Sequence, residues 1–182
     1  MKKCLIGICM LFISVWAPAQ IFSKASLQAT GLTCALCSNA INKALLALPF
    51  VESVKSDIKS SSFVMTFKSD KEVVIDDIKQ AVEDAGFSVG RLEMTAQLSQ
   101  LELDKESHVK IGNDQFHFLN NKHQQLNGEY TLVLADKGFL TAKAFKKLSA
   151  QYKNECVKTG KTADCCLTDK VEPGSRVYHV TI

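Results

Sequence analysis

At 182 residues, with 46% hydrophobic and 23% charged content, the chain is long enough for one large folded domain or two small ones and is too apolar for a disordered segment. Its 22 Lys and Arg stand against 19 Asp and Glu. Lys2 and Lys3 belong to a leader, so the remainder is close to neutral, which removes the electrostatic case for nucleic acid or an anionic membrane as partner.

The leader comes first. Lys2 and Lys3 form a positive start, Cys4 to Ala17 is apolar apart from Ser14, and Ala17-Pro18-Ala19 fits a small-x-small cleavage site. Residues 1–19 read as a secretory signal peptide, and the protein as periplasmic or otherwise exported. An uncleaved anchor fits less well, because the apolar run is shorter than a membrane span needs. Cleavage leaves Cys34, Cys37, Cys156, Cys165 and Cys166. An odd number in an oxidising compartment implies at least one thiol outside any internal disulfide.

Residues 25–30 suit a first strand, closed by Gly31. Ala40, Ile41, Ala44, Leu45 and Leu48 then recur at helical spacing, and Pro49 ends the run. Val51–Ile58 and Phe63–Phe67 read as strands joined by a Lys-Ser-Ser-Ser turn. Val74, Ile75, Ile78, Val82 and Ala85 mark a second helix, with Gly86 placed to end it, and 87–94 a fourth strand. Strand, helix, strand, strand, helix, strand is the split βαβ, ferredoxin-like plan. A boundary is expected near Thr95–Gln100. Beyond it the sequence predicts a hairpin of 108–111 and 115–119, a short strand over 131–135, a helix capped by Thr141 and a last strand over 176–182. These suit a small second α+β domain over 101–182, with a partly closed barrel as one form.

Cys34 and Cys37 carry the chemistry. Cys37, Ile41 and Leu45 share one stripe of the first helix, and Cys34 sits on the turn before it. Backbone N–H groups at a helix start favour thiolate over thiol. Two soft sulfurs alone suit a two-coordinate ion such as Cu(I), whereas structural zinc wants four ligands. A thioredoxin-type redox pair is the main alternative. It normally has a Trp before the pair and a facing cis-proline; Trp16 leaves with the leader, and only Pro49 and Pro173 remain. A short Cys34–Cys37 disulfide is the other alternative.

Residues 24–95 resemble a heavy-metal-associated domain, through Gly31-Leu32-Thr33-Cys34-Ala35-Leu36-Cys37, the helix after it, and Glu83-Asp84-Ala85-Gly86-Phe87. With the leader, the arrangement is similar to periplasmic mercury-binding proteins and copper metallochaperones. The resemblance implies a ferredoxin-like fold, with Cys34 and Cys37 as ligands for Cu(I), or for Hg(II) or Zn(II). It also implies transfer to a membrane metal transporter or another thiol metal-binding domain, and no enzymatic activity. It covers about two-fifths of the chain. Leu32 departs from the Met common in the family and replaces it by volume. Phe87 reads as packing beside the loop, not as a ligand.

Cys156, Cys165 and Cys166 lie in a polar stretch. A disulfide from Cys156 to one of the pair is the first expectation, contributing about 3 kcal/mol on a short loop. A second soft-metal site is the other. His108, His117, His123 and His179 are scattered with no helical ligand spacing. His117 and His179 alternate with apolar neighbours in candidate strands, so they are expected to face solvent.

Overall fold

The computed structural model describes residues 21–32, 35–104, 107–120, 122–169 and 172–182. The leader and Cys34 lie outside these. β1 (Phe22–Thr30), α1 (Ala35–Leu46), β2 (Val51–Asp57), β3 (Ser62–Phe67), α2 (Ile75–Asp84) and β4 (Ser88–Leu103) follow the expected order. Then come β5 (His108–Ile111), β6 (Asp114–Phe118), β7 (Gln124–Leu134), α3 (Ala142–Gln151), α4 (Glu155–Thr159), a 3-10 helix over Asp164–Asp169, and β8 (Val177–Thr181). No helix among the described residues is long and apolar enough to cross a membrane.

Local chemistry sets the helix limits. Ser38, Ile41 and Leu45 are the buried face of α1. Asp76 and Asp77 sit in the first turn of α2, where the helix dipole favours acids. Its end is a Schellman turn. Gly86 takes φ +87°, its N–H donates to Glu83 O at 2.9 Å, and the Phe87 N–H donates to Val82 O at 3.1 Å. The Thr141 hydroxyl caps α3 by accepting from Ala144 N–H at 3.3 Å.

The strands form one eight-stranded sheet in the order β2-β3-β1-β4-β7-β8-β6-β5, not a partly closed barrel. Only β6 and β8 pair in parallel; every other neighbour is antiparallel. The expected boundary at 95–100 falls inside β4. That strand pairs with β1 from Ser88 to Ala96 and with β7 from Glu93 to Leu103. Val89, Leu92, Met94, Ala96, Leu98 and Leu103 stay buried along it, so apolar alternation continues past Thr95. The C-terminal strands extend the N-terminal sheet.

Two apolar clusters result. The larger joins Ile41, Leu45, Ile78 and Val82 of the helices to Leu27, Met65, Leu92, Phe116, Phe118, Leu132 and Val180 of the sheet. The smaller lies on the other face of β6 and β8, where Val177, Leu119 and Ala135 meet Cys156, Val157 and Cys166. Leu148 of α3 and Tyr152, which follows its last residue, pack on it. β6 and β8 are therefore covered on both faces, which decides where their polar residues point.

Candidate metal centre

Two groups of sulfur donors sit at different places. The first is the loop entering α1. Gly31 turns the chain at φ +86°, and a methyl group there would stand 3.9 Å from the Phe87 ring. Leu32 and Phe87 both pack, half-buried, on the main core. This is the support role read for each from sequence. Cys37 is the third residue of α1, a half-buried thiol. Beside it Leu36 is 79% exposed, so this end of the domain opens to solvent. Cys34 lies outside the described residues, so the convergence of the two sulfurs remains a sequence inference.

The second group is one that the sequence reading placed wrongly. His117 and His179 are 1% and 0% exposed, not solvent-facing. Simple alternation assumes one wet face, and β6 and β8 have none. Phe116, Phe118, Tyr178 and Val180 face the large cluster, which leaves the histidines to face the layer made by α4 and the 3-10 helix. Strand register then aligns three rings: His108 opposite His117 across the β5–β6 hairpin, and His117 opposite His179 across the parallel pair. Ring centroids are 4.0 Å apart for the first pair, stacked, and 5.0 Å for the second, edge to face.

Cys156 and Cys166 approach this row from the covering layer, both fully buried. Cys156 Sγ lies 3.9 Å from His117 Nδ1. Exposed Cys165 donates to Cys156 Sγ at 3.1 Å and stands 3.6 Å from Cys166 Sγ. All three are thiols, so the disulfide expected from Cys156 is not formed. One donor atom each from His117, Cys156 and His179 lies within 4.8 Å of the others, as do donors from His108, Cys156 and Cys166.

Asp136, 2% exposed, completes the arrangement. Its carboxylate sits 2.7 Å from His179 Nδ1 and accepts from His179 N–H at 3.1 Å. Arg176 Nη2 donates to it at 3.4 Å. The buried Nε2 atoms of His117 and His179 have no hydrogen-bond partner among the described residues. Burial, reinforced by His108 and His179, holds His117 down to about 3, so its imidazole is neutral at pH 7. Burial likewise pushes the Cys156 thiol up, a poor setting for a nucleophile. The neutral His117 imidazole beside sequestered thiols can coordinate a soft ion.

The fingerprint of this cluster was present in the sequence only as Phe-His-Phe and Tyr-His-Val within strands. The hairpin centred on Gly112 and Asn113 also fixes His108 opposite His117. Its third member needed the parallel β6–β8 pairing, which no local pattern encodes.

The βαββαβ order with a thiol in the first turn of α1 defines residues 22–103 as a ferredoxin-like unit whose last strand runs on into the C-terminal half. Residues 26–88 match the model of the heavy-metal-associated domain, and this part of the chain is such a domain. A yeast copper transporter domain, solved in apo and Cu(I)-loaded states, is 33% identical over 37% of this chain and 90% of its own, with a TM-score of 0.34. The CopZ metallochaperone is 27% identical over 37% of this chain and 98% of its own, at 0.34. A putative copper-ion-binding protein from Bacillus anthracis is 30% identical over 39% and 99%, at 0.35. No curated protein matches the chain.

Proposed function

We propose that the protein is an exported carrier or buffer of a thiophilic ion, Cu(I) by the chemistry of its donors, held between the Cys34 and Cys37 thiolates. One observation carries the reading: the heavy-metal-associated match spans 26–88 and so contains both cysteines, with Cys37 at the start of α1. Two sulfurs satisfy a two-coordinate d10 ion and leave its flank open. An incoming thiolate can bond to the ion before an outgoing one leaves, so cargo moves without passing through bare aqueous metal. The exposed Leu36 side of the loop supplies that access. The acceptor is a membrane metal transporter or another domain with a thiol pair, and the protein carries its cargo without acting as an enzyme. Export rests on the leader over 1–19.

Native mass spectrometry of the reduced mature chain, titrated with Cu(I), Zn(II) and Hg(II), tests this. Wild type should take up one Cu(I) more than the Cys34→Ser/Cys37→Ser variant. Equal uptake overturns the assignment. So does metal-free reduction of a model disulfide at the rate of a thiol oxidoreductase.

A further inference from the structure

We propose that the C-terminal half holds a second, buried metal site for a four-coordinate ion of the Zn(II) type, ligated by Cys156, Cys166, His117 and His179. It is independent of the carrier loop, since none of its donors comes from residues 26–88.

The donors fit. A tetrahedral zinc has metal–sulfur bonds of about 2.3 Å and metal–nitrogen bonds of about 2.0 Å, which sets neighbouring donors about 3.3–3.8 Å apart. His117 Nδ1 and Cys156 Sγ already stand 3.9 Å apart. His117, Cys156 and His179 present donors within 4.8 Å of one another, and Cys166 lies within the same limit of Cys156. Mixed thiolate and imidazole ligation suits zinc, and a full protein shell suits a closed structural ion rather than exchangeable cargo.

His179 has the orientation that metal ligation needs. Its Nδ1 is engaged by Asp136 at 2.7 Å, and its Nε2 is buried without a partner among the described residues. A carboxylate on the far nitrogen of a histidine fixes the tautomer and aims the other nitrogen at an ion. A buried imidazole nitrogen left without a partner is costly unless something fills its lone pair. His117 turns its Nδ1 toward Cys156, and its Nε2 is likewise buried without a partner among the described residues. Exposed Cys165, 3.1 Å from Cys156, gives an arriving ion a first thiol on the surface side.

The site also has structural work to do. Donors from β6, β8, α4 and the 3-10 helix would be tied by one ion. They hold a small cluster of six buried residues, Leu119, Ala135, Cys156, Val157, Cys166 and Val177, against the sheet. Coordination there adds stability that so few apolar contacts do not supply.

The test uses the full mature chain carrying Cys34→Ser/Cys37→Ser, reduced and stripped of metal, so that the carrier loop contributes nothing. Zn(II) should bind at one equivalent and raise the thermal midpoint. Co(II) should give the intense thiolate charge-transfer and ligand-field bands of a tetrahedral site. In that background Cys156→Ala should abolish binding. His179→Gln should weaken it at least about tenfold, and Asp136→Asn by about 10–100-fold, as loss of a partner behind a ligand does. His108→Gln should leave affinity within about threefold, a range set by ordinary context effects on packing. Far-UV circular dichroism of each metal-free variant checks the fold. If Cys156→Ala does not fold, the two histidine variants decide. No Zn(II) or Co(II) uptake overturns the proposal, and uptake of Cu(I) alone overturns the four-coordinate assignment. Loss on His108→Gln without loss on His179→Gln overturns the donor set. A disulfide at Cys156 in protein recovered from its own compartment overturns the site.

Discussion

Arg176→Met should cost the protein about 2–3 kcal/mol, because this guanidinium joins the two halves of the molecule. Its Nε and Nη2 donate to the two carboxylate oxygens of Asp76 on α2 at 3.0 and 3.2 Å. Its Nη1 donates to the carbonyls of Gly160 at 3.1 Å and Val177 at 2.7 Å. The cation lies over the Tyr178 ring, 4.0 Å from its centre. Asp76 is 48% exposed, so its bidentate pair is screened and contributes at most about 1 kcal/mol. Each carbonyl bond to a charged donor adds about 1 kcal/mol net at a partly wet site, and the ring contact about 0.5–1 kcal/mol. These share one side chain and do not add fully. Methionine keeps the apolar stem, so packing loss stays small. Asp136 keeps both bonds to His179, so it is not stranded. Urea unfolding followed by far-UV circular dichroism, with reductant and chelator, reads the loss as a lower midpoint at constant slope. Asp76→Asn alone should lose less than about 1 kcal/mol. A loss below about 0.5 kcal/mol for Arg176→Met, the level of a neutral surface change, would refute the reasoning.

Two further outcomes follow from other places in the fold. Burial, with help from Glu72 and Asp76, raises the Asp114 carboxyl to about 6. The native state thus holds that proton more tightly than the unfolded chain, so the group's contribution is present below about pH 4 and is lost as pH rises through about 6. Asp114→Asn should therefore raise the thermal midpoint at pH 7.5, with the gain shrinking toward pH 4; a gain independent of pH contradicts the assigned cause. Separately, because β4 serves both halves, calorimetry of the full chain should show one unfolding transition, and the fragment 21–97 should melt lower than the whole chain. Two resolved transitions, or a fragment as stable as its parent, would mean that the halves are energetically separate.

The N-terminal half was legible because its signals are local. Apolar spacing marked α1 and α2, Pro49 and Gly86 closed them, and the turn chemistry of residues 59–62 joined two alternating strands; here Asp57 accepts from Lys59 N–H at 2.9 Å and from the Ser60 hydroxyl at 2.8 Å. The Cys34 and Cys37 pair was read from the same kind of signal, since spacing and a helix start are properties of a short stretch, and Cys37 stands in the first turn of α1. The C-terminal hairpin and the Thr141 cap were equally local. What could not be read was the burial of β6 and β8 on both faces. Phe116, His117 and Phe118 are all buried, a pattern that looks like alternation until a second layer covers the polar position. The long β4 was missed because the bulge between Leu98 and Leu101 interrupts its period just where a boundary was expected.

Different burial gives the two sulfur groups different chemistry. The α1 loop has one half-buried thiol in the first turn and an exposed leucine beside it, a setting in which ligands can exchange. Cys156 and Cys166 are sealed between sheet and helix, with imidazoles on the sheet side, a setting in which they cannot exchange quickly. A physical path nevertheless joins the regions. The Phe87 ring stands beside the turn, 3.9 Å from where a Cβ on Gly31 would lie, just past the C-cap of α2. Asp76 in the first turn of α2 binds Arg176, and Arg176 also donates to Asp136, the residue that orients His179. From Asp76 to His179 every link is a hydrogen bond, so Arg176→Met should weaken Zn(II) at the buried site through Asp136 while leaving the donors in place. Isothermal titration of the Cys34→Ser/Cys37→Ser chain with and without that substitution measures it: a lower affinity at unchanged stoichiometry supports the link, and an unchanged affinity shows that Asp136 is held by His179 alone.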